Sequence, residues 1–240
     1  MEQTGQLSQD PLVLLPGMMC DARIFQPQIM ALSTQVPVTV APLIGGERIE
    51  DIAIQLLQQL PSRFALAGLS MGGIVAMEIL RRAPERVSRL CLMSTSPLPD
   101  TPAQAATREP LIIGARTGRM DDVLRQSMLP EYLAPGPQRI EVLNLMHQMG
   151  MELGQALFVA QTRALQRRRD QQGTLRKCKV PTLILCGEYD PLTPVKRHEF
   201  LAELIPNASL QVITSAGHLP TLERPDVVNR VLAEWLAGQT

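Results

Sequence analysis

Apolar positions along this 240-residue chain fall into two registers that alternate. Short unbroken runs at Pro11 to Leu15, Val36 to Val40, Phe64 to Ala67, Val87 to Met93, Pro181 to Gly187 and Ser209 to Ile213 are bounded by Pro, Gly and polar residues, which predicts buried strands. Between them apolar residues recur three and four apart. This spacing predicts helices over Arg23 to Leu32, over Glu47 to Leu60 (through Ile49, Ile52, Ala53, Leu56, Leu57 and Leu60), over Ile74 to Leu80, over Val195 to Leu204 and over Thr221 to Ala237. Such alternation implies right-handed crossovers, so the fold class is α/β, with a predominantly parallel sheet of about six strands covered by helices on both faces. In sheets of this kind the ligand crevice opens at the carboxyl ends of the strands.

One interval breaks the alternation. From Leu98 to Cys178 no strand-like run occurs, and helical spacing predicts four helices at Thr101 to Gly118, Asp121 to Leu129, Pro137 to Gly150 and Gln155 to Arg169. Pro130, Ala134-Pro-Gly-Pro137 and Gly154 supply the breaks. The chain therefore divides into a core, 1–97 and 179–240, and a helical insertion, 98–178, expected to close over the strand ends as a mobile lid. Met120, Met128, Met146 and Met149 give that lid flexible, polarizable side chains for an apolar inner face, and prolines at Pro97-Leu98-Pro99 and Cys178-Lys-Val-Pro181 mark its hinges. The insertion carries eleven Lys/Arg against eight Asp/Glu. Its densest basic point, Arg167-Arg168-Arg169, reads as a solvated helix end in preference to a patch for an acidic carrier protein, because cations are favourable at a helix C-terminus.

Charge and cysteine usage narrow the function. Lys+Arg and Asp+Glu are both 23, so no global field draws in nucleic acid or an anionic membrane. The first ten residues lack a basic segment followed by an apolar one, and no stretch reaches the ~18 apolar residues of a membrane span, so a cytoplasmic protein is expected. Cys20, Cys91, Cys178 and Cys186 form no C-x-x-C pair and are expected as buried reduced thiols, with no metal site.

The candidate chemistry concentrates where the third strand turns directly into a helix, at Gly68-Leu-Ser-Met-Gly72. A turn this tight strains its central residue and leaves room only for small neighbours, which accounts for glycine two before and two after Ser70. Taken alone, the pattern is also that of an ordinary Gly-rich turn. A serine nucleophile needs a base, and the base needs an acceptor. Of three histidines, His147 and His198 fall on predicted helices and read as surface or partly packed residues. His218 lies in Ser215-Ala-Gly-His-Leu-Pro220, directly after the last strand. Asp190 lies in Gly187-Glu-Tyr-Asp-Pro191 after the preceding strand, where Asp-Pro is also a common turn starter. Glu188 is the acid to consider if Asp190 lies out of reach. The order Ser70, Asp190, His218 is the one an elbow of this kind requires.

Leu14-Leu-Pro-Gly-Met18, Gly68-Leu-Ser-Met-Gly-Gly73, Gly187-Glu-Tyr-Asp-Pro-Leu-Thr-Pro194 and Ser215-Ala-Gly-His-Leu-Pro220 together resemble the α/β-hydrolase fold superfamily, and the resemblance spans essentially the whole chain. It implies Ser70 as nucleophile, His218 as general base and then acid, Asp190 as the residue orienting His218, and the backbone N–H groups of Met18 and Met71 as an oxyanion hole. Two departures stand out. Pro16-Gly17 occupies the place where the superfamily commonly has His-Gly, and too few residues precede Pro11 for the usual N-terminal hairpin. Serine at the elbow sets the chain apart from the haloalkane dehalogenase and epoxide hydrolase branches. The implied activity is hydrolysis of a carboxylic ester through an acyl-serine, without a cofactor. A small-molecule acyl substrate would sit in a pocket including Met19, Leu192 and Leu219. Insertion size and chain length are similar to those of pimeloyl-acyl-carrier-protein methyl ester esterase and enol-lactonase relatives. Thioesterase, lactonase, amidase and C–C hydrolase chemistry stay open, as does a ligand-binding protein that keeps the triad without turnover.

Overall fold

The apolar runs become the centre of one sheet. In the computed structural model, which describes residues 10–239, the strands are β1 (Leu12–Leu15), β2 (Val38–Val40), β3 (Phe64–Leu69), β4 (Val87–Met93), β5 (Thr182–Gly187) and β6 (Ala208–Ile213). They pair in the order β2-β1-β3-β4-β5-β6, every pair parallel. β1, β3 and β5 are buried at every residue, as strands covered on both faces must be, whereas the edge strand β6 keeps exposed positions. The chain steps outward from β1 to β2 and then returns to the other side of β1 with β3. The switch point therefore lies between β1 and β3, and the loops leaving these two strands border the crevice.

Helices α1 (Gln26–Leu32), α2 (Ile49–Gln59) and α3 (Met71–Arg82) follow the first three strands. After β4 come α4 (Pro102–Thr107), α5 (Glu109–Arg116), α6 (Met120–Ser127), α7 (Arg139–Gln166) and α8 (Gln172–Leu175). The chain closes with α9 (Val195–Leu204), α10 (Pro220–Glu223) and α11 (Pro225–Leu236) around β6. On one face of the sheet Ile52 and Leu56 of α2, Val75 and Ile79 of α3 and Leu201 of α9 pack on Val13, Leu66 and Leu92. On the other, Leu32 of α1 and Val228, Leu232 and Trp235 of α11 pack on Leu12, Leu14, Ala65 and Cys91. Burying each such Val, Leu or Ile side chain contributes about 1.5–3 kcal/mol relative to leaving it in water. A third, smaller core joins Ile112, Met120, Val123, Leu124, Phe158 and Met19, so the helices after β4 pack on one another and on the loop after β1.

Local chemistry shifts several predicted boundaries. The first predicted helix opens as a 3-10 turn, Ala22–Phe25, because Asp21 caps it and Pro27 at the second position starts α1 afresh. Val36 ends α1 by donating its N–H to Leu32, which leaves β2 to begin at Val38. In the insertion, Pro110 divides the first predicted helix into α4 and α5, whereas the third and fourth run on as α7 with a kink at Gly154, whose φ is 81°. Pro225 likewise splits the closing helix. All four cysteines are free and buried. The expected N-terminal sequence features involve residues 1–9, which lie outside the described residues. Among the described residues no helix is long and apolar enough to cross a membrane.

Candidate active site

The elbow between β3 and α3 is built by close backbone contact. A Cβ on Gly68 would lie 2.3 Å from the Gly72 carbonyl oxygen, and one on Gly72 would lie 2.1 Å from that of Leu15, so only hydrogen fits at either position. Ser70 is consequently held at φ 53°, ψ −114°, a conformation that an L-residue adopts only under constraint. The constraint comes from β4 as well: Ser70 N–H donates to Met93 O at 2.8 Å, and Thr95 Oγ1 donates to Ser70 O at 2.8 Å.

The loops after β5 and β6 bring two more side chains to this edge. Ser70 Oγ lies 3.0 Å from His218 Nε2, and His218 Nδ1 lies 2.9 Å from Asp190 Oδ2. Asp190 is almost fully buried, and its Oδ1 accepts the N–H groups of Leu192 at 2.9 Å and Thr193 at 3.0 Å while Oδ2 also accepts Thr193 Oγ1 at 2.6 Å. Burial opposes the Asp190 charge, but the His218 and Thr193 interactions outweigh it and hold the carboxyl below its ordinary range. An ionised carboxylate only accepts, so His218 carries its proton on Nδ1 and turns the Nε2 lone pair toward Ser70. Glu188 does not reach His218; its carboxylate accepts Ser215 N–H at 3.1 Å.

His218 has supports that its own loop does not announce. Glu223, in α10, is 4% exposed; Oε2 accepts Ala134 N–H at 2.7 Å and Gly217 N–H at 2.9 Å, and Oε1 accepts Leu219 N–H at 3.0 Å. His218 N–H itself donates to Tyr132 O at 2.7 Å. The residues flanking His218 and the turn before α7 are thus tied through one carboxylate, whose burial raises its pKa against the pull of the three amides. The only sequence signal was an acid inside a Pro-initiated turn just after the histidine. Exchanging one carboxylate oxygen for an amide leaves at least one of the three N–H groups unpaired. Glu223→Gln is therefore expected to lower kcat about tenfold with a smaller change in KM, and to lower Tm, since an unsatisfied buried donor costs about 1–3 kcal/mol. Unchanged kcat in a folded variant would show that this clamp does not position His218.

The other histidines divide. His147 is partly exposed, with Nε2 2.7 Å from Asp121. The expectation for His198 is corrected: it is 0% exposed, Nε2 accepts Thr95 N–H at 3.1 Å, and Nδ1 donates to Pro194 O at 3.3 Å. The first turn of α9 packs under the loop after β4, so a helical position that looked superficial faces inward. Burial pushes its pKa down to about 4, with Asp190 opposing the shift. The unfolded chain therefore takes up this proton first, so the contribution of His198 to stability is fully present above about pH 6.5 and is lost as pH falls toward about 4. Over that window wild type should lose up to about 3 kcal/mol from this residue. Urea unfolding between pH 7 and 4.5 should show a flatter pH slope for His198→Asn, and parallel slopes would refute the assignment.

A cavity of about 770 Å³ opens on the Ser70 hydroxyl. Met18, Met19, Met71, Leu192 and Leu219 all line it, with Leu192 at the rim, 43% exposed. The Met18 and Met71 N–H groups have no hydrogen-bond acceptor among the described residues. Gln161 of α7 fixes the loop after β1, accepting Met19 N–H at 2.8 Å and donating to Leu43 O at 2.9 Å. Met128 and Met146 face the cavity. Met120 and Met149 do not: Met120 belongs to the core among α5, α6 and α7, and Met149 packs toward α11 and the sheet. The basic run is corrected too. Arg167 and Arg169 reach Glu47 at 3.2 Å and Glu50 at 2.8 Å, and Arg168 turns into the cavity wall beside Asp100, so the end of α7 docks on the body of the protein and is not simply solvated.

Comparisons with known proteins place the whole chain in a family. The chain is 27% identical over 239 residues to a pimeloyl-[acyl-carrier protein] methyl ester esterase of Legionella pneumophila (strain Corby), covering 94% of this chain and 95% of the relative. It is 31% identical over 193 residues to an enzyme of the same name from Aromatoleum aromaticum, covering 75% and 77% of the two chains. Among solved structures, a malate-bound thermophilic esterase from Thermogutta terrifontis superposes with a TM-score of 0.86 at 26% identity, covering 98% of this chain and 92% of that one. The family model described as "Alpha/beta hydrolase family" matches residues 12–231, and the chain belongs to that family of hydrolytic enzymes.

Proposed function

We propose that this protein hydrolyses a carboxylic ester through an acyl-serine intermediate, with Ser70 as nucleophile, His218 as base and Asp190 as its orienting acid. The observation that carries the reading is the continuous series from Ser70 Oγ through both nitrogens of His218 to Asp190, opening on a cavity of about 770 Å³. Ser70 Oγ attacks the ester carbonyl as its proton passes to His218 Nε2, and the resulting imidazolium is stabilised by the Asp190 carboxylate. The tetrahedral oxyanion takes the N–H groups of Met71 and Met18, with the positive end of α3 behind Met71. Collapse releases the alcohol, which leaves with the proton from His218, and water then repeats the sequence on the acyl-serine. Labelling with a fluorophosphonate probe tests the reading: wild type should react and Ser70→Ala should not. A wild type that is neither labelled nor active on p-nitrophenyl esters would overturn it.

In the same proposal, residues 98–178 act as the lid and supply the acyl pocket. Met128→Ala and Met146→Ala are expected to change the chain-length profile over p-nitrophenyl esters more than the rate on the acetyl ester. A parallel fall at every length would reduce the insertion to a structural role. The relatives named for pimeloyl groups on an acyl-carrier protein place medium acyl chains, free or carried, among the substrates to run beside simple esters, thioesters and lactones.

A further inference from the structure

The cavity wall also holds charges that the ester chemistry does not use. Asp100, on the segment between β4 and α4, keeps its side chain 2% exposed; it accepts Arg108 Nε at 2.7 Å and lies 3.0 Å from Arg168 Nη2. The Arg168 side chain is itself only 14% exposed, and its Nε is buried without an acceptor among the described residues. Arg197, in the first turn of α9, has no carboxylate within ion-pair distance among the described residues. Burial works against the charge on Arg168, Asp100 favours it, and the positive charges of Arg108 and Arg197 work against it in turn. Asp100, Arg108, Arg168 and Arg197 all line the cavity that holds Ser70 and His218.

A lock at the base of the insertion would need one arginine for one carboxylate. Here the Arg108 and Arg168 guanidinium groups share the one carboxylate of Asp100 while Arg197 lines the same cavity without one, so this wall carries excess positive charge. Like charges brought together out of water are costly unless an anion joins them. A guanidinium also presents donors in a planar fork that matches a carboxylate.

We propose that Arg108, Arg168 and Arg197 form a binding site for a free carboxylate at the end of the substrate remote from the scissile ester, so that the preferred substrate is a half-ester of a dicarboxylic acid. The inference rests on the esterase reading above. Ser70 works on the esterified end while the arginines hold the other, and the intervening chain lies along the Met128 and Met146 wall. Arg197 supplies the charge left over by Asp100, and Arg168 Nε supplies a donor already desolvated. The aliphatic spacer length that best spans the two ends is read out by the same measurements.

The experiment compares monomethyl esters of five- to nine-carbon dicarboxylic acids with the dimethyl esters of the same acids, taking the ratio of kcat/KM for free acid over neutral ester. Wild type should prefer the free acid at least tenfold at its best length. Arg197→Gln should remove most of that preference, chiefly through KM, while Arg167→Gln, whose side chain pairs with Glu47 at 3.2 Å outside the site, should keep it. Arg168→Lys keeps the charge beside Asp100 but loses the fork, and should lower the ratio without loss of Tm. Titration of Ser70→Ala protein with pimelate gives a readout that does not depend on turnover, and its binding should weaken in the Ser70→Ala, Arg197→Gln double variant. If neutral esters are hydrolysed with no preference for the free acid, or if Arg197→Gln lowers both substrates equally, the carboxylate site is refuted and the esterase reading stands. If no ester is hydrolysed but pimelate binds in an Arg197-dependent way, the site stands and the esterase reading falls.

Discussion

Ser70→Ala and His218→Ala are each expected to lower kcat by about 10⁴- to 10⁶-fold, and the double variant to be barely slower than either single one. The reason lies in how little each group does alone. A serine hydroxyl is almost fully protonated near neutral pH, so Ser70 gains nucleophilicity only by giving its proton to His218 Nε2, 3.0 Å away, as the bond forms. Without Ser70, His218 has no hydroxyl to activate; without His218, Ser70 has no base. In the proposed mechanism what survives is the contribution of the Met18 and Met71 amides and of substrate binding, which the two substitutions leave in place. Rates on p-nitrophenyl acetate, with folding checked by thermal melts, measure this directly. Losses that add in the double variant would mean that the two residues do not act in one step.

The parts of the site that were legible in the sequence are those whose geometry is local. Gly68 and Gly72 announce a crossing of backbones because no other residue fits there, and Ser215-Ala-Gly-His-Leu-Pro220 announces a loop by its breakers. Likewise, β1, β3 and β5 are legible because a strand buried on both faces must be apolar throughout. The residues that escaped are those whose role depends on a partner far along the chain. His198 becomes an interior group only because α9 packs beneath Thr95, about a hundred positions earlier. Glu223 becomes a clamp only because the turn at Tyr132 to Ala134 passes over Gly217, where a Cβ would lie 2.4 Å from Tyr132 O. Arg168 looked like the middle of a basic run, yet its neighbours on either side point to Glu47 and Glu50 while it alone turns inward to Asp100. A periodicity argument places such residues on a helix. It cannot say which body the helix will meet.

Asp190→Asn is the substitution that separates geometry from charge, and it is expected to lower kcat by about 10³- to 10⁴-fold while leaving the fold intact. Asp190 Oδ1 accepts two backbone N–H groups, from Leu192 and Thr193, so the asparagine must place its carbonyl oxygen there and its amide nitrogen at the Oδ2 position. At that position Thr193 Oγ1, 2.6 Å away, can turn from donor to acceptor at little cost. His218 Nδ1, at 2.9 Å, cannot remain protonated against an N–H donor, so the imidazole shifts its proton to Nε2. Nε2 then donates to Ser70 Oγ where catalysis needs it to accept, and the base is present in the right place with the wrong tautomer. The imidazolium formed in the transition state would also lose the anion beside it. Two readouts distinguish this from simple misfolding: Tm should fall only modestly, because the two backbone N–H bonds to the side chain persist and the bonds to Thr193 Oγ1 and His218 Nδ1 re-form with donor and acceptor exchanged, and fluorophosphonate labelling should slow in proportion to kcat. Near-normal labelling with a large loss of kcat would place the role of Asp190 after acylation. A kcat within tenfold of wild type would mean that Asp190 does not set the tautomer of His218.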